Sequence, residues 1–268
     1  MQAHRIVVAG AAGRMGRAAI RTIARRDDML LVGALGRTGS VGQDAGVVAG
    51  AGTLGVPIGT DLAHMFLTAR PTVLVDLSRG DAAVEHAEVA LDHRIPVVIG
   101  ATGLREEDVA RLRERCRAER VGVLIAPNFA LGAILMMEFA RRAARYFPHV
   151  EITELHHDRK RDAPSGTAAR TARLIAAARG EAPQPAVSET EIVPGVRGGL
   201  VEGVRVHSVR LPGLQAHQEV LFGGPGQTLL LRHDSLSEES FMPGLILAIE
   251  RAGALEDLVE GLEHILDL

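Results

Sequence analysis

Short apolar runs rich in β-branched residues recur through the first half of the chain: Ile6 to Ala9, Leu30 to Leu35, Thr72 to Leu77, Val97 to Gly100 and Val121 to Ala126. Between several of them, apolar positions return at helical spacing. Brief strands that are apolar on both sides, separated by amphipathic helices, predict a parallel sheet covered on both faces and hence a doubly wound, Rossmann-like α/β domain. The interval Gly36 to Gly59 breaks the pattern. It is dense in glycine and weak in periodicity, and reads as a long loop with at most short local structure.

Beyond Pro127 the rhythm changes. A helix from about Leu131 to Phe147 is followed by a strand, Val150 to His156, and a second helix, Thr167 to Arg179. Val204 to Arg210, His217 to Phe222 and Thr228 to Arg232 then read as strands joined by Pro/Gly turns, which predicts an α+β domain with an open mixed sheet. The interval Gly180 to Gly199, with Pro183, Pro185 and Pro194, reads as a mobile connection. Helical periodicity returns from Glu238 to Arg251, either closing the second domain or rejoining the first.

At 268 residues the chain has room for two modest domains, and 47% hydrophobic against 24% charged residues is ample to bury their cores. A net charge of −3, with no basic stripe and no interleaved aromatic platform, gives no reason to expect nucleic acid as a partner. No apolar run approaches the ~20 residues that cross a bilayer, and the N-terminal run lacks the form of a signal peptide, so cytoplasm is the expected location. Cys116 has no second cysteine to pair with and reads as a structural thiol.

The first strand runs into Gly10-Ala11-Ala12-Gly13-Arg14-Met15-Gly16, just before an amphipathic helix. Glycine allows the tight turn and a close approach of backbone to pyrophosphate, while the helix start offers unpaired N–H donors and positive potential. The spacing is GxxGxxG, which departs from the commonest dinucleotide fingerprint. A βα turn that binds nothing is the plain alternative. At the end of the second strand, where a carboxylate would select NAD through the ribose hydroxyls, the chain has Leu35-Gly36-Arg37. Arg37 suits a 2′-phosphate, so NADPH is favoured, with NADH still open. Ser78-Arg79 and Gly100-Ala101-Thr102 follow two further strands, where such sheets form their cofactor crevice.

The stretch Glu154-Leu155-His156-His157-Asp158-Arg159-Lys160-Arg161-Asp162-Ala163-Pro164-Ser165-Gly166-Thr167-Ala168 joins a strand to a helix. Ser165 or Thr167 can satisfy the first helical N–H groups, and that helix start with its hydroxyls makes a receptor for a carboxylate. Lys160 is the only lysine among 30 lysines and arginines. Unlike a guanidinium, an ammonium is a compact cation that holds an anion and, once desolvated, gives up a proton. His156 and His157 bring imidazoles, the side-chain type best suited to proton transfer at neutral pH. No further ligand set accompanies the paired histidines, so no metal is expected. His64, His86 and His264 read as surface or packed residues, and Met136-Met137 as core.

In these motifs the chain resembles the dihydrodipicolinate reductase family, across nearly its whole length. The carriers are GAAGRMG at Gly10 to Gly16, VVIGATG at Val97 to Gly103, APNFALG at Ala126 to Gly132, and the histidine–lysine stretch just quoted. The resemblance implies hydride transfer from NADPH or NADH to a cyclic dicarboxylate of lysine and diaminopimelate biosynthesis. His156 and Lys160 would carry proton transfer and charge stabilisation. Lys160, Ser165, Gly166 and Thr167 would grip substrate carboxylate, with His157 assisting. Cofactor contacts would fall at Gly10 to Gly16, Arg37, Ser78, Arg79, Gly100, Thr102, Ala126, Asn128 and Phe129.

It further implies a dinucleotide domain of residues 1–126 with 236–268, a substrate and oligomerisation domain of 127–235, and a homotetramer; the location of the two motifs on different domains predicts domain closure during turnover. Gly36 stands where many relatives are acidic, and Ala130 where serine is frequent. The stretch Leu214 to Glu219 departs from a Gly-Glu-His-Thr form, so His217 receives no catalytic role. The rivals are another NAD(P)-dependent dehydrogenase, against which the histidine–lysine stretch argues, and a non-catalytic nucleotide sensor, which would need neither Lys160 nor Ser165 to Thr167.

Overall fold

A computed structural model of the chain describes residues 3–37, 39–181, 187–188 and 190–266. They belong to two compact units, Met1–Phe129 with Phe241–Leu268, and Ala130–Ser240.

In the first unit the apolar runs become strands β1 (His4–Ala9), β2 (Met29–Leu35), β3 (Ile58–Gly59), β4 (Val73–Asp76), β5 (Val97–Ile99), β6 (Val123–Ile125) and β12 (Leu258–Glu260). They form one parallel sheet in the order β12-β6-β5-β4-β1-β2-β3. Helices α1 (Arg14–Ile23), α3 (Leu62–Ala69), α4 (Gly80–Asp92), α5 (Glu106–Glu119) and α8 (Met242–Ala252) belong to the same unit. The central strands are buried along their length, as Val7, Leu74, Val97 and Val123 show, because helices on both faces leave no wet side. The helical signal near the C-terminus is α8, preceded by a 3₁₀ turn at Glu238–Phe241, and β12 pairs with β6. This tail therefore rejoins the first unit. The boundary falls at Phe129, whose ring lies against the site of any Cβ on Gly100.

The second unit has a mixed sheet, β11-β10-β7-β9-β8, from strands β7 (His149–His156), β8 (Gly199–Val201), β9 (Val204–Arg210), β10 (Ala216–Gly224) and β11 (Gln227–Ser235). Helices α6 (Leu131–Ala143) and α7 (Gly166–Arg179) cover one face, burying Met136, Ile152, Ile175, Val220 and Phe222 together. The other face carries a row in register across the five strands, Leu200–Arg205–Glu151–Leu221–Leu230, whose three leucines are exposed. Pro183 and Pro185 of the expected mobile connection lie outside the described residues. Among the described residues no helix is long and apolar enough to cross a membrane.

Candidate active site

In the first unit the strand order reverses beside β1, and a cavity of about 650 Å³ opens there, at the carboxyl ends of β1, β2 and β4. Gly10, with φ of +75°, makes the turn that leaves β1, and a Cβ on it would sit 2.7 Å from the Leu77 carbonyl oxygen. A Cβ on Gly16 would lie 2.2 Å from the carbonyl oxygen of Gly10. Both glycines are therefore required by close backbone packing, and Gly13 caps α1 without a side chain. Of the residues that the sequence singled out, Gly10, Ala12, Gly13, Arg37, Ser78 and Arg79 line the cavity. Arg14, Met15 and Gly16 form the first turn of α1 beside it, and Ala11 is buried. Thr102 lines a neighbouring cavity of about 680 Å³ that shares Ser78 and Arg79. Gly100 packs between Leu77 and Phe129, and Ala126 is buried behind them. Asn128 follows Ala126 beyond the end of β6.

The glycine-rich interval after β2 is a long loop with only short local structure. It holds α2 (Ala45–Ala49) and β3, and Asp44 gathers it by accepting bonds from the N–H groups of Val47, Leu54, Gly55 and Val56 at 2.7–3.1 Å. These donors, Val47 first, hold the Asp44 carboxyl below the ordinary range. The loop thus brings Gly36, Arg37, Gly39 and Ser40 to the cavity. A Cβ on Gly36 would meet Ile58 Cγ2 at 2.6 Å, so the position where an acidic residue would select NAD is closed by packing.

His86, read from the sequence as a surface or packed residue, belongs to this wall. Its Nδ1 lies 2.6 Å from Asp76, which is wholly buried and also accepts from the N–H and hydroxyl of Ser78. An acid closing a buried strand was the available signal, but helix periodicity gives no hint of its partner.

In the second unit, alternation along β7 sends Ile152, Glu154 and His156 to the helix-covered side. The apolar register Val220–Ile152–Val206 gives way, two residues on, to Gln218–Glu154–Ser208. Glu154 is fully buried. It accepts from His156 Nδ1, from both terminal nitrogens of Arg210 at 2.7 and 2.9 Å, and from the Ser165 N–H at 3.2 Å. Burial pushes its carboxyl up, but the bonds from His156, Arg210 and Ser208 together prevail and bring it down to about 2.

Ser165 caps α7 by accepting from Ala168 N–H at 3.1 Å, which leaves the N–H groups of Gly166 and Thr167 without intrahelical acceptors. Lys160 is ion-paired to Asp162 at 2.8 Å, and the Asp162 carbonyl accepts from Arg210 at 2.7 Å. One continuous network therefore joins His156, Lys160 and the start of α7. His157 lies in the same turn, its Nδ1 buried and without a hydrogen-bond partner among the described residues. His217 has both ring nitrogens engaged, by Asp234 at 2.6 Å and by the Gln215 N–H at 3.2 Å. Gly132 is explained by His233, whose ring would lie 2.4 Å from a Cβ there.

The chain matches two family models, "Dihydrodipicolinate reductase, N-terminus" over residues 4–129 and "Dihydrodipicolinate reductase, C-terminus" over residues 132–266. It is 50% identical over 263 residues to the 4-hydroxy-tetrahydrodipicolinate reductase of Geobacillus thermodenitrificans, covering 98% of this chain and 99% of that one. The enzyme of the same name from Moorella thermoacetica is also 50% identical, with 98% of each chain covered. Among solved structures, dipicolinate-bound dihydrodipicolinate reductase from Paenisporosarcina sp. TG-14 superposes with a TM-score of 0.90 at 40% identity, covering 99% of this chain and 100% of that one.

Proposed function

The chain belongs to the dihydrodipicolinate reductase family, and on that premise we propose that it reduces 4-hydroxy-tetrahydrodipicolinate to tetrahydrodipicolinate at the expense of NADPH or NADH. The observation that carries this reading is the network through Glu154, which holds an imidazole, a lone lysine and a helix N-terminus together in one unit.

The first unit is the dinucleotide domain. Its cradle fits that ligand: Gly10, Gly13 and Gly16 keep side chains away from the β1–α1 turn, and the start of α1 offers donors to pyrophosphate. Arg37 and Ser40 face the same cavity, and no carboxylate follows β2, which favours NADPH. Arg14, Met15, Gly100, Thr102, Ala126, Asn128 and Phe129 complete the proposed cofactor contacts, with Ser78 and Arg79 on the wall. When bound, the reduced dinucleotide supplies the hydride.

The second unit binds the substrate. Lys160, the Ser165 hydroxyl and the N–H groups of Gly166 and Thr167 hold a ring carboxylate, and His157 helps to seat it. Binding requires the substrate carboxylate to replace Asp162 as the anion beside Lys160. Electron density left on the ring by reduction must be stabilised and protonated, and the ammonium of Lys160 and the imidazole of His156 share that work. Loss of the 4-hydroxyl as water accompanies the reduction. The exposed leucine face of the second sheet supports assembly into a homotetramer, and the cytoplasm is the proposed location.

The test supplies the condensation product of aspartate semialdehyde and pyruvate to the purified protein, and follows NADPH and NADH oxidation separately. Turnover is expected with both, faster with NADPH. Lys160→Ala should lose most turnover while retaining dinucleotide affinity; wild-type rates in that variant would overturn the site.

A further inference from the structure

Glu154 lies beneath the proposed catalytic groups at the centre of their network, and the reading above gives its carboxylate no part in binding substrate or in the chemistry. A fully buried carboxylate is costly unless every lone pair is engaged, and a Glu on a core-facing position of a strand would ordinarily be replaced by an apolar residue. Besides the Ser208 side chain, its two carboxylate oxygens meet four donors: His156 Nδ1, two Arg210 nitrogens and the Ser165 N–H. Each of these leads to a different part of the site. His156 is the imidazole. Ser165 caps the helix whose first N–H groups are assigned above to the substrate carboxylate, and Arg210 continues to the Asp162 carbonyl and so to the turn that carries Lys160.

We infer that Glu154, clamped by Arg210, is the positioning residue of this reductase: it fixes the tautomer of His156 and the register of the anion-binding turn with one side chain. The inference rests on the function proposed above. An ionised carboxylate can only accept, so Nδ1 of His156 must donate to it, and Nε2 becomes the nitrogen that exchanges a proton with the substrate. Arg210 makes the arrangement stiff. Its planar fork binds both oxygens, so the carboxylate cannot rotate away from the imidazole without breaking a bidentate pair. The β7–β9 register places Arg210 directly beside His156, which is why one strand supplies the acid and its neighbour the clamp.

Three measurements test this. Nitrogen-15 NMR of ring-labelled histidine in the wild-type protein, with His156 assigned by loss of its signal in His156→Gln, should show a protonated Nδ1 and a downfield N–H proton. Glu154→Gln should keep its dinucleotide affinity and lose kcat by about a hundred-fold, and the downfield proton should disappear. Arg210→Lys, which retains charge but not the fork, should raise the KM for substrate more than it lowers kcat, because the turn bearing Lys160 and Ser165 loosens. An Nε2–H tautomer in the wild type overturns the inference however the variants fold. So does a folded Glu154→Gln with wild-type kcat. Absence of turnover in the wild type would instead overturn the functional reading itself, which the same assay reports separately.

Discussion

A buried carboxylate, Asp76, pairs with the partly exposed imidazole of His86 at 2.6 Å on the wall of the first unit's cavity. The carboxylate also accepts from the Ser78 N–H at 2.9 Å, so it ties α4 to the turn after β4. An amide in its place could not accept from all three donors. Asp76→Asn should weaken NADPH binding about ten-fold, the consequence of leaving a buried donor unsatisfied at ~1–3 kcal/mol, while substrate-analogue binding stays unchanged. Fluorescence titration of the reduced dinucleotide measures it; unaltered affinity would show that the pair does not shape the pocket.

Gly16→Ala places a methyl group 2.2 Å from the Gly10 carbonyl oxygen, a contact that only backbone movement can relieve. Widening the β1–α1 turn should lower the thermal midpoint and reduce affinity for both NADPH and NADH. A variant that melts and binds as wild type would mean that the turn tolerates separation from its helix.

Acid should strip stability from the second unit through two carboxylates. Bonds from Arg141, and then Arg142, hold Glu138 down to about 2 against its burial, and Glu154 is likewise brought to about 2. A carboxyl depressed in the folded state stabilises fully above its ordinary value near 4.5 and loses that contribution as pH falls toward 2. Urea unfolding across this window should show stability falling with pH, and Glu138→Gln should flatten the slope. An unchanged slope in that variant would remove Glu138 from the account.

The exposed row Leu200, Leu221 and Leu230 crosses the uncovered face of the second sheet. If copies of the chain pack there, Leu221→Arg with Leu230→Arg should reduce the mass measured by light scattering from a tetramer to a smaller species. A mass equal to that of the wild type would move the interface elsewhere.

Reading from the sequence located nine of the twelve strands among the described residues to within a few residues, because apolar residues recurring at period two or in short blocks reflect a constraint that acts locally. It missed α2, β3, β8 and β12, whose two to five residues are too few to show any period. The glycine-rich interval Gly36 to Gly59 reads as a long loop with at most short local structure, and its sequence does not reveal what holds it. Its order comes from four N–H groups converging on Asp44, and convergence of backbone donors leaves no periodic trace.

The chemistry divides in the same way. The amino-acid order alone determined the glycine turn and the histidine–lysine stretch, since in both the functional groups are sequence neighbours presented by a strand-to-helix junction. Only the tertiary structure decided that Glu154 meets Arg210, 56 residues away, that Asp76 meets His86, and that Gly36 is closed by Ile58. Such partners are chosen by strand register and by the packing of helix on sheet. Those are properties of the assembled layers, and no local spacing encodes them.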